Sequence, residues 1–303
     1  MALGAGLLAL DGHVLVTLAG ALLMGAAGSW MLVTIQAALS DHHGDARAIA
    51  FTEANVLGGV SAGLGPLLVA GFQQLGLGWR GALYAIAAAL ALLVAVFGRQ
   101  PVPTVPRAEP GTGLMSRRLP VAYWACWVVI LLGVAIEFCL IGWGAEFLAT
   151  AVGLAQSAAV AVMSVFFLAM VLGRLAGSRL AHTIEARKLL FVAVGVAAGG
   201  FPLFWLAPVP LLNVAGLFVT GLGVGNLFPL TLSVALAATP GRTDAASARV
   251  TLGAGLAVLA APLTLGWLAD RTGIATAYGA TFVLIVAAIG MITLANRLAA
   301  HAA

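Results

Sequence analysis

Nine apolar stretches, each long enough to cross a bilayer, occupy almost all of this chain and leave the charged residues between them. A hydrocarbon core of about 30 Å takes roughly 20 apolar helical residues per crossing. The alternating pattern of a membrane β-barrel is absent, so the backbone satisfies its hydrogen bonds in lipid as helices. The sequence therefore predicts an all-α, polytopic membrane protein with spans near 13–39, 46–75, 80–98, 119–149, 154–180, 188–207, 210–238, 246–269 and 274–299.

The basic residues predict how these spans are oriented. The longest polar stretch, 99–118, carries four arginines, and placing it in the cytoplasm fixes the other loops by alternation. Of the 14 lysines and arginines, only Arg80 and Arg271 then lie outside. This asymmetry is the positive-inside pattern, so the net charge of +4 gives no reason to expect nucleic acid. We expect a multi-pass protein of the cell membrane, monomeric, with 99–118 on the cytoplasmic side.

The two ends of the chain match when one is shifted by 196 positions. Small and helix-bending residues set close helix approach in lipid, and internal repeats of this kind build secondary transporters. Spans 119–207 have no partner in the chain, so we expect about three further helices upstream, with 1–10 as the tail of one. Chance similarity in a true nine-helix protein is the alternative. The coinciding residues include Gly20 with Gly216, Gly25 with Gly221, Gly59 with Gly255 and Pro66 with Pro262.

The repeat and the polar stretch together predict three parts. Residues 1–98 form an incomplete N-terminal bundle of a stub and three helices, and 119–303 form a complete C-terminal six-helix bundle. Between them, 99–118 is a linker rich in proline and arginine, and its four prolines prevent a continuous helix.

Three strings in these spans resemble a known family. The run from Gly59 to Pro66 is similar to the glycine-and-proline signature of the fifth helix of the major facilitator superfamily, and Gly78-Trp79-Arg80 is similar to the start of its sixth. Leu172 to Gly177 resembles the second-half copy of a loop motif, with Gly177 where the family usually has aspartate. The resemblance covers the last nine of twelve helices. It implies two six-helix bundles that rock about a central site and move a small solute by alternating access.

Glu137 is the clearest candidate for chemistry at membrane depth. It lies in the middle of span 119–149 with apolar neighbours on both sides. A charged side chain there is costly, so a carboxyl group that loads and releases a proton is one interpretation, and a structural hydrogen bond to a neighbouring helix is the other. Trp143 follows in the same span, where its indole stacks on a solute ring or packs against lipid.

Two other spans carry weaker candidates for substrate or proton binding. Glu53 and Asn55 lie near the start of span 46–75, where Glu53 faces the cavity or reaches the headgroups. Asn226 lies in the middle of span 210–238, where the glycines before it and Pro229 after it are expected to soften the helix.

Further residues are predicted to act structurally or in gating. We expect Arg174 to reach toward the aqueous side or to pair with a carboxylate across the bundle interface. The small-residue stripe of span 46–75 is expected to pack against another helix. The remaining members of this set are Gly59, Gly63, Pro66, Pro229 and Pro262.

Enzyme chemistry is not expected. Gly59 to Gly63 matches the pattern of a serine-hydrolase elbow, but Ser61 lies inside a predicted membrane helix with no histidine at that depth. No metal-ligand, nucleotide-binding or cofactor motif is present in the sequence. The sequence thus predicts a proton-coupled secondary transporter of a small solute without a cofactor. The alternative is a non-transporting fragment or a nine-helix membrane partner protein.

Overall fold

The computed structural model describes residues 1–10, 13–43, 47–99, 119–181, 183–239 and 243–300. Within these ranges the regular elements are ten helices, and nine of them lie on the predicted spans, with ends that differ by at most four residues. Among the residues that the structure describes, eight of these nine helices are long and apolar enough to cross a membrane, and the described part of α3 does not meet that criterion. The helices are α1 Ala2–Ala9, α2 Val14–His43, α3 Arg47–Gln74, α4 Gly78–Phe97, α5 Val121–Thr150, α6 Gln156–Leu180, α7 Ala186–Leu206, α8 Pro210–Ala237, α9 Thr243–Thr272 and α10 Ile274–Ala300.

The chain divides into two compact units, Met1–Pro110 and Gly111–Ala303. The first contains α1 to α4 and the second contains α5 to α10. The predicted linker 99–118 lies outside the described residues except for Arg99. The assignment of 1–98, 99–118 and 119–303 as bundle, linker and bundle therefore stays a prediction.

The repeat predicted from the sequence is present in the helix boundaries. Adding 196 to the first residues of α2, α3 and α4 gives 210, 243 and 274, where α8, α9 and α10 begin. The same shift places α1 on the second half of α7. Each unit therefore contains the same succession of four helical segments.

The contacts between these helices repeat as well. A Cβ atom added to Gly4 of α1 would lie 3.0 Å from the backbone nitrogen of Met24, and one added to Gly200 of α7 would lie 2.6 Å from that of Thr220. Each member of the second pair lies 196 positions after its counterpart. Only glycine lets the two backbones approach so closely. The reverse contacts follow the same shift and join Gly20 to Leu8 and Gly216 to Phe204.

In the second unit α5 contacts α6, α8, α9 and α10. Its aromatic side chains donate hydrogen bonds to backbone carbonyls of α9. Donors further along α5 bond to acceptors further along α9, so the two helices run in the same direction. These bonds give the polar end of each ring a partner at a helix contact, which apolar lipid does not supply. They join Tyr123 Oη to Ala246 O at 2.7 Å, Trp127 Nε1 to Arg249 O at 2.9 Å and Trp143 Nε1 to Pro262 O at 2.8 Å.

Helix α8 packs between α6 and α7, and its glycines carry the closest approaches. A Cβ at Gly221 would lie 2.8 Å from the Cβ of Ala169, and one at Gly225 would lie 2.7 Å from the carbonyl oxygen of Met170. Gly223 faces Ala193 of α7 in the same way. The glycines that were expected to loosen this helix therefore hold it against its neighbours.

Candidate functional site

Glu137 lies near the middle of α5, about 20 Å from the nearer end of that helix at 1.5 Å per residue. Its side chain is 15% exposed. One turn earlier, Gly133 allows Leu227 of α8 to come within 3.2 Å of the position of a Cβ atom. The close contact between α5 and α8 therefore lies directly beside the carboxyl group.

Arg174 of α6 is the ion-pair partner of Glu137. Its Nη2 atom lies 3.7 Å from Oε1 of Glu137, and its side chain is 37% exposed. Side chains on a helix lean toward its N-terminus. The N-terminus of α6 follows shortly after the C-terminus of α5, so Arg174 leans toward the level at which Glu137 lies on α5. The guanidinium thereby reaches the level of the carboxylate. The partner expected across the bundle interface is instead a carboxylate of the same unit.

The guanidinium also binds the backbone of α8 at the point where a proline interrupts it. Proline has no N–H, so Pro229 leaves the carbonyl oxygen of Gly225 without its donor inside the helix. Arg174 Nε donates to that oxygen at 3.0 Å. Arg174 therefore links a carboxylate of α5 to a free carbonyl of α8. Helix α8 continues through Pro229, and the carbonyl oxygen that this proline leaves free is bound by a side chain from another helix.

Asn226 lies next to this carbonyl, and Gly177 of α6 makes room for it. Its Nδ2 donates to the carbonyl oxygen of Leu222 at 3.1 Å, and its side chain is buried. A Cβ at Gly177 would overlap the Asn226 amide. Gly177 is the position at which the resembling motif usually has aspartate, and the larger side chain would collide here. The role of Asn226 in solute binding stays a prediction.

Trp143 packs α5 against α9. Its indole N–H donates to Pro262 O, and its ring occupies the space that a Cβ atom at Gly266 would need. The indole is only partly exposed. Its predicted contact with solute stays a prediction, as does the gating role of Pro262.

The candidates on α3 belong to the first unit. The side chains of Glu53 and Asn55 lie outside the part that the structure describes. Gly59, Gly63 and Pro66 are half-buried. Their predicted roles in packing and gating remain predictions.

The described ranges contain two cysteines and no clustered metal ligands. No group of three or more His, Cys, Asp or Glu side chains there could hold a metal ion. Cys126 and Cys139 are free and buried, as small apolar residues would be.

The carbonyl of Gly225 and the space left by Gly177 were missed from the sequence. Each of these two glycines belongs to a pair of glycines four residues apart, one pair on α6 and the other on α8. That spacing marks close helix contacts in membranes and would have predicted that α6 and α8 pack together. It would not have identified the atom that Arg174 binds. The pairs are Gly173 with Gly177 and Gly221 with Gly225.

Comparison with known proteins places this geometry in context. An uncharacterized MFS-type transporter of Yersinia pestis is 27% identical over 161 residues, which are 53% of this chain and 41% of that protein. The chain thus spans less than half the length of this relative. The structure of a bacterial homologue of the human lysosomal transporter Spinster, inward-facing and occupied, superposes with a TM-score of 0.73 at 15% identity, over 98% of this chain and 80% of that one.

A second solved structure gives the same fold. The fucose:proton symporter of E. coli superposes with a TM-score of 0.63 at 15% identity, over 97% of this chain and 81% of that one. The sequence also matches the family described as Major Facilitator Superfamily over residues 1–214 and again over 138–301. With helices that span the membrane several times and a match over nearly its whole length, the chain belongs to the Major Facilitator Superfamily.

Proposed function

We propose that this chain acts in secondary active transport of a small solute across the cell membrane, coupled to protons that bind at Glu137. The superfamily match and the transporters among its structural neighbours support transport. One of those neighbours is a proton symporter, which supports the coupling. We further propose a monomer with the linker 99–118 in the cytoplasm, from the distribution of basic residues.

The observation that carries the proposal is the ion pair of Glu137 and Arg174 at membrane depth. Ionisable side chains inside membrane helices are costly and usually mark ion or substrate pathways. Both side chains are partly exposed, and the pair is 3.7 Å long rather than a close, two-point contact. The protein therefore does not fully enclose the carboxylate, and the pair has little hydrogen-bond energy to lose on opening.

Within the described part of the chain, Arg174 is the charged group that faces Glu137. Helix α8 carries no ionisable side chain. The remaining charges of α5 and α6 are Glu146, near the far end of α5, and Arg179, in the last turn of α6. The described charged side chains of α9 and α10 lie toward the helix ends at Arg249, Asp270, Arg271 and Arg297. Tyr278 of α10 donates to Cys139 O.

Protonation of Glu137 changes the balance among three helices at once. It removes the negative charge that attracts Arg174 from α5, while the hydrogen bond from Arg174 to Gly225 O on α8 is unaffected. The guanidinium is then held by α8 alone. Movement of α5 relative to α6 and α8 within the second unit then becomes easier.

The proposal is tested in proteoliposomes that contain a pH-sensitive dye. Small solutes are added outside, and solute uptake and proton movement are followed together. We expect Glu137→Gln to uncouple the two, so that uptake no longer depends on the pH gradient. Glu146→Gln is the matched control, because it changes the same residue type at an exposed position on the same helix. Uptake by Glu137→Gln that keeps its full dependence on the pH gradient contradicts the proposal.

A second candidate is a membrane partner protein that transports nothing by itself. The observation in its favour is the low burial of the first unit, where only 6% of the residues in the apolar windows of α2 and α4 are buried. Uptake in the same proteoliposomes rules it out. Absence of uptake for every solute, together with a second membrane protein that purifies with the chain, favours it.

A further inference from the structure

Resting on the proposed function, we propose that the solute is a small organic anion whose carboxylate binds Arg174 once Glu137 is protonated. The anion and the proton then occupy the site together and cross as a neutral pair. Three features of the site support this: the unused donors of Arg174, the charge balance of the pair and the exposure of its two side chains.

Arg174 has donors to spare. A guanidinium carries five N–H groups in a planar fork that matches a carboxylate at two points. In the described residues its one recorded hydrogen-bond acceptor is Gly225 O, bound through Nε. The contact with Glu137 is 3.7 Å long, beyond the 2.7–2.9 Å of a charge-assisted hydrogen bond. The two Nη atoms are therefore available to an oxyanion of better geometry.

Charge balance determines when that oxyanion binds. With Glu137 ionised, the pair is neutral and an added anion would introduce a net charge at membrane depth. With Glu137 protonated, the guanidinium has lost its counter-charge, and an unpaired cation there is costly. A solute carboxylate restores neutrality, so the proton and the anion favour each other's binding.

Exposure favours an anion over a cation. Arg174 is 37% exposed and Glu137 is 15% exposed, so the positive member of the pair is the one that an entering solute meets. A cationic solute would be repelled by the more exposed guanidinium. A neutral solute would leave Arg174 unbalanced after protonation. The hydrogen bond to Gly225 O keeps the guanidinium at a fixed position on α8.

The test compares carboxylates with uncharged twins of the same shape. The full chain in detergent is heated with acetate, lactate or benzoate, and separately with acetamide, lactamide or benzamide, at equal ionic strength. A ligand that binds only the folded form raises the unfolding temperature. We expect at least one carboxylate to raise the unfolding temperature of Glu137→Gln more than its amide does. At neutral pH, Glu137→Gln should bind that carboxylate at least tenfold more tightly than the unchanged protein does.

Two further proteins separate binding from general effects of the mutation. The unchanged protein should gain the same carboxylate affinity as the pH is lowered. Arg174→Gln should lose it at every pH, and Arg174→Lys should bind more weakly than arginine, because lysine keeps the charge without the fork. The proposal is overturned if no carboxylate exceeds its amide in Glu137→Gln or, should that variant not fold, in the unchanged protein at acid pH.

The outcome is separable from that of the proposed function. Proton movement driven by a neutral or cationic solute overturns the anion inference and leaves proton coupling in place. Carboxylate binding that needs Arg174, without any solute-driven proton movement beyond that of protein-free liposomes, supports the anion site and contradicts the coupling.

Discussion

The two units repeat the same helices, yet their burial differs greatly. In the apolar windows of α2 and α4, 6% of the residues are buried, whereas in the equivalent helices α8 and α10 the values are 56% and 33%. The second unit adds α5 and α6, and α5 covers α8, α9 and α10. In the described part of the first unit, no helix takes their place.

A pair of equivalent glycines shows the origin of this difference. Gly221 of α8 touches α6, whereas Gly25, its equivalent on α2, has no atom within 4 Å of an added Cβ. The residue type is the same and the helix is the same part of the repeat. A small residue permits a close contact, but the contact exists only where a partner helix is present.

Substitution by leucine should affect Gly221 and Gly25 very differently. Gly221→Leu should destabilise the protein by roughly 1–3 kcal/mol or more, because the new side chain meets the backbone of Phe166 and the Cβ of Ala169. Gly25→Leu should change stability by less than about 0.5 kcal/mol, since its surroundings are open. Thermal unfolding of both variants in detergent measures the contrast. Equal losses would show that α2 also has a covered face.

Pro229 is a second point at which the equivalent helices differ, because α2 has valine at the equivalent position 33. Arg174→Gln removes the donor to Gly225 O and leaves Glu137 unpaired. In a Pro229→Ala background the Gly225 carbonyl regains a donor within its own helix. We expect Arg174→Gln to lower the free energy of unfolding by about 1 kcal/mol less in the Pro229→Ala background than in the unchanged protein.

A double-mutant cycle from thermal or denaturant unfolding gives this coupling directly. The unpaired carboxylate is common to both backgrounds and cancels. Additive losses would mean that the bond from Arg174 to Gly225 O contributes nothing to stability, and that Pro229 is accommodated in another way.

The helices themselves were predictable from the sequence. Lipid offers no hydrogen bonds to the backbone, so each apolar run of sufficient length has to be a helix, and the polar residues between the runs mark the ends. The repeat was predictable for a related reason, because glycines at crossings such as Gly20 and Gly216 cannot change without separating two backbones. The apolar runs are continuous stretches of sequence, and each of these glycine crossings joins two helices that follow one another in the chain.

The candidate site was only partly predictable. Glu137 was singled out by its depth, Pro229 by its missing N–H and Arg174 by its place near the end of its span. Their connection was not foreseen, because an ion pair across α5 and α6 and a bond to a backbone oxygen of α8 depend on how three helices pack. The carbonyl oxygen of Gly225 was missed as a binding atom, because a carbonyl is common to every residue and carries no signal of its own.

Hydrogen bonds from aromatic side chains of α5 join it to α9 in the second unit. Tyr123→Phe removes the hydroxyl that donates to Ala246 O at 2.7 Å and keeps the ring in its buried position. We expect a loss of about 0.5–1.5 kcal/mol in unfolding free energy. Hydrogen exchange should show the loss as weaker protection in α9, with α2 to α4 unchanged as the internal control. Equal loosening of both units would contradict the division between them.

The smallest effect has the opposite sign and tests the first unit directly. Gly58 of α3 has no atom within 4 Å of an added Cβ, and its equivalent on α9 is Ala254. Gly58→Ala should stabilise the protein by about 0.5 kcal/mol, because alanine loses less backbone freedom in a helix. Ala254→Gly, its reverse, should cost more than this, since Ala254 packs against the core of the second unit. If Gly58→Ala destabilised the protein instead, a partner would have to cover this face of α3, and the contrast in burial between the units would not hold there.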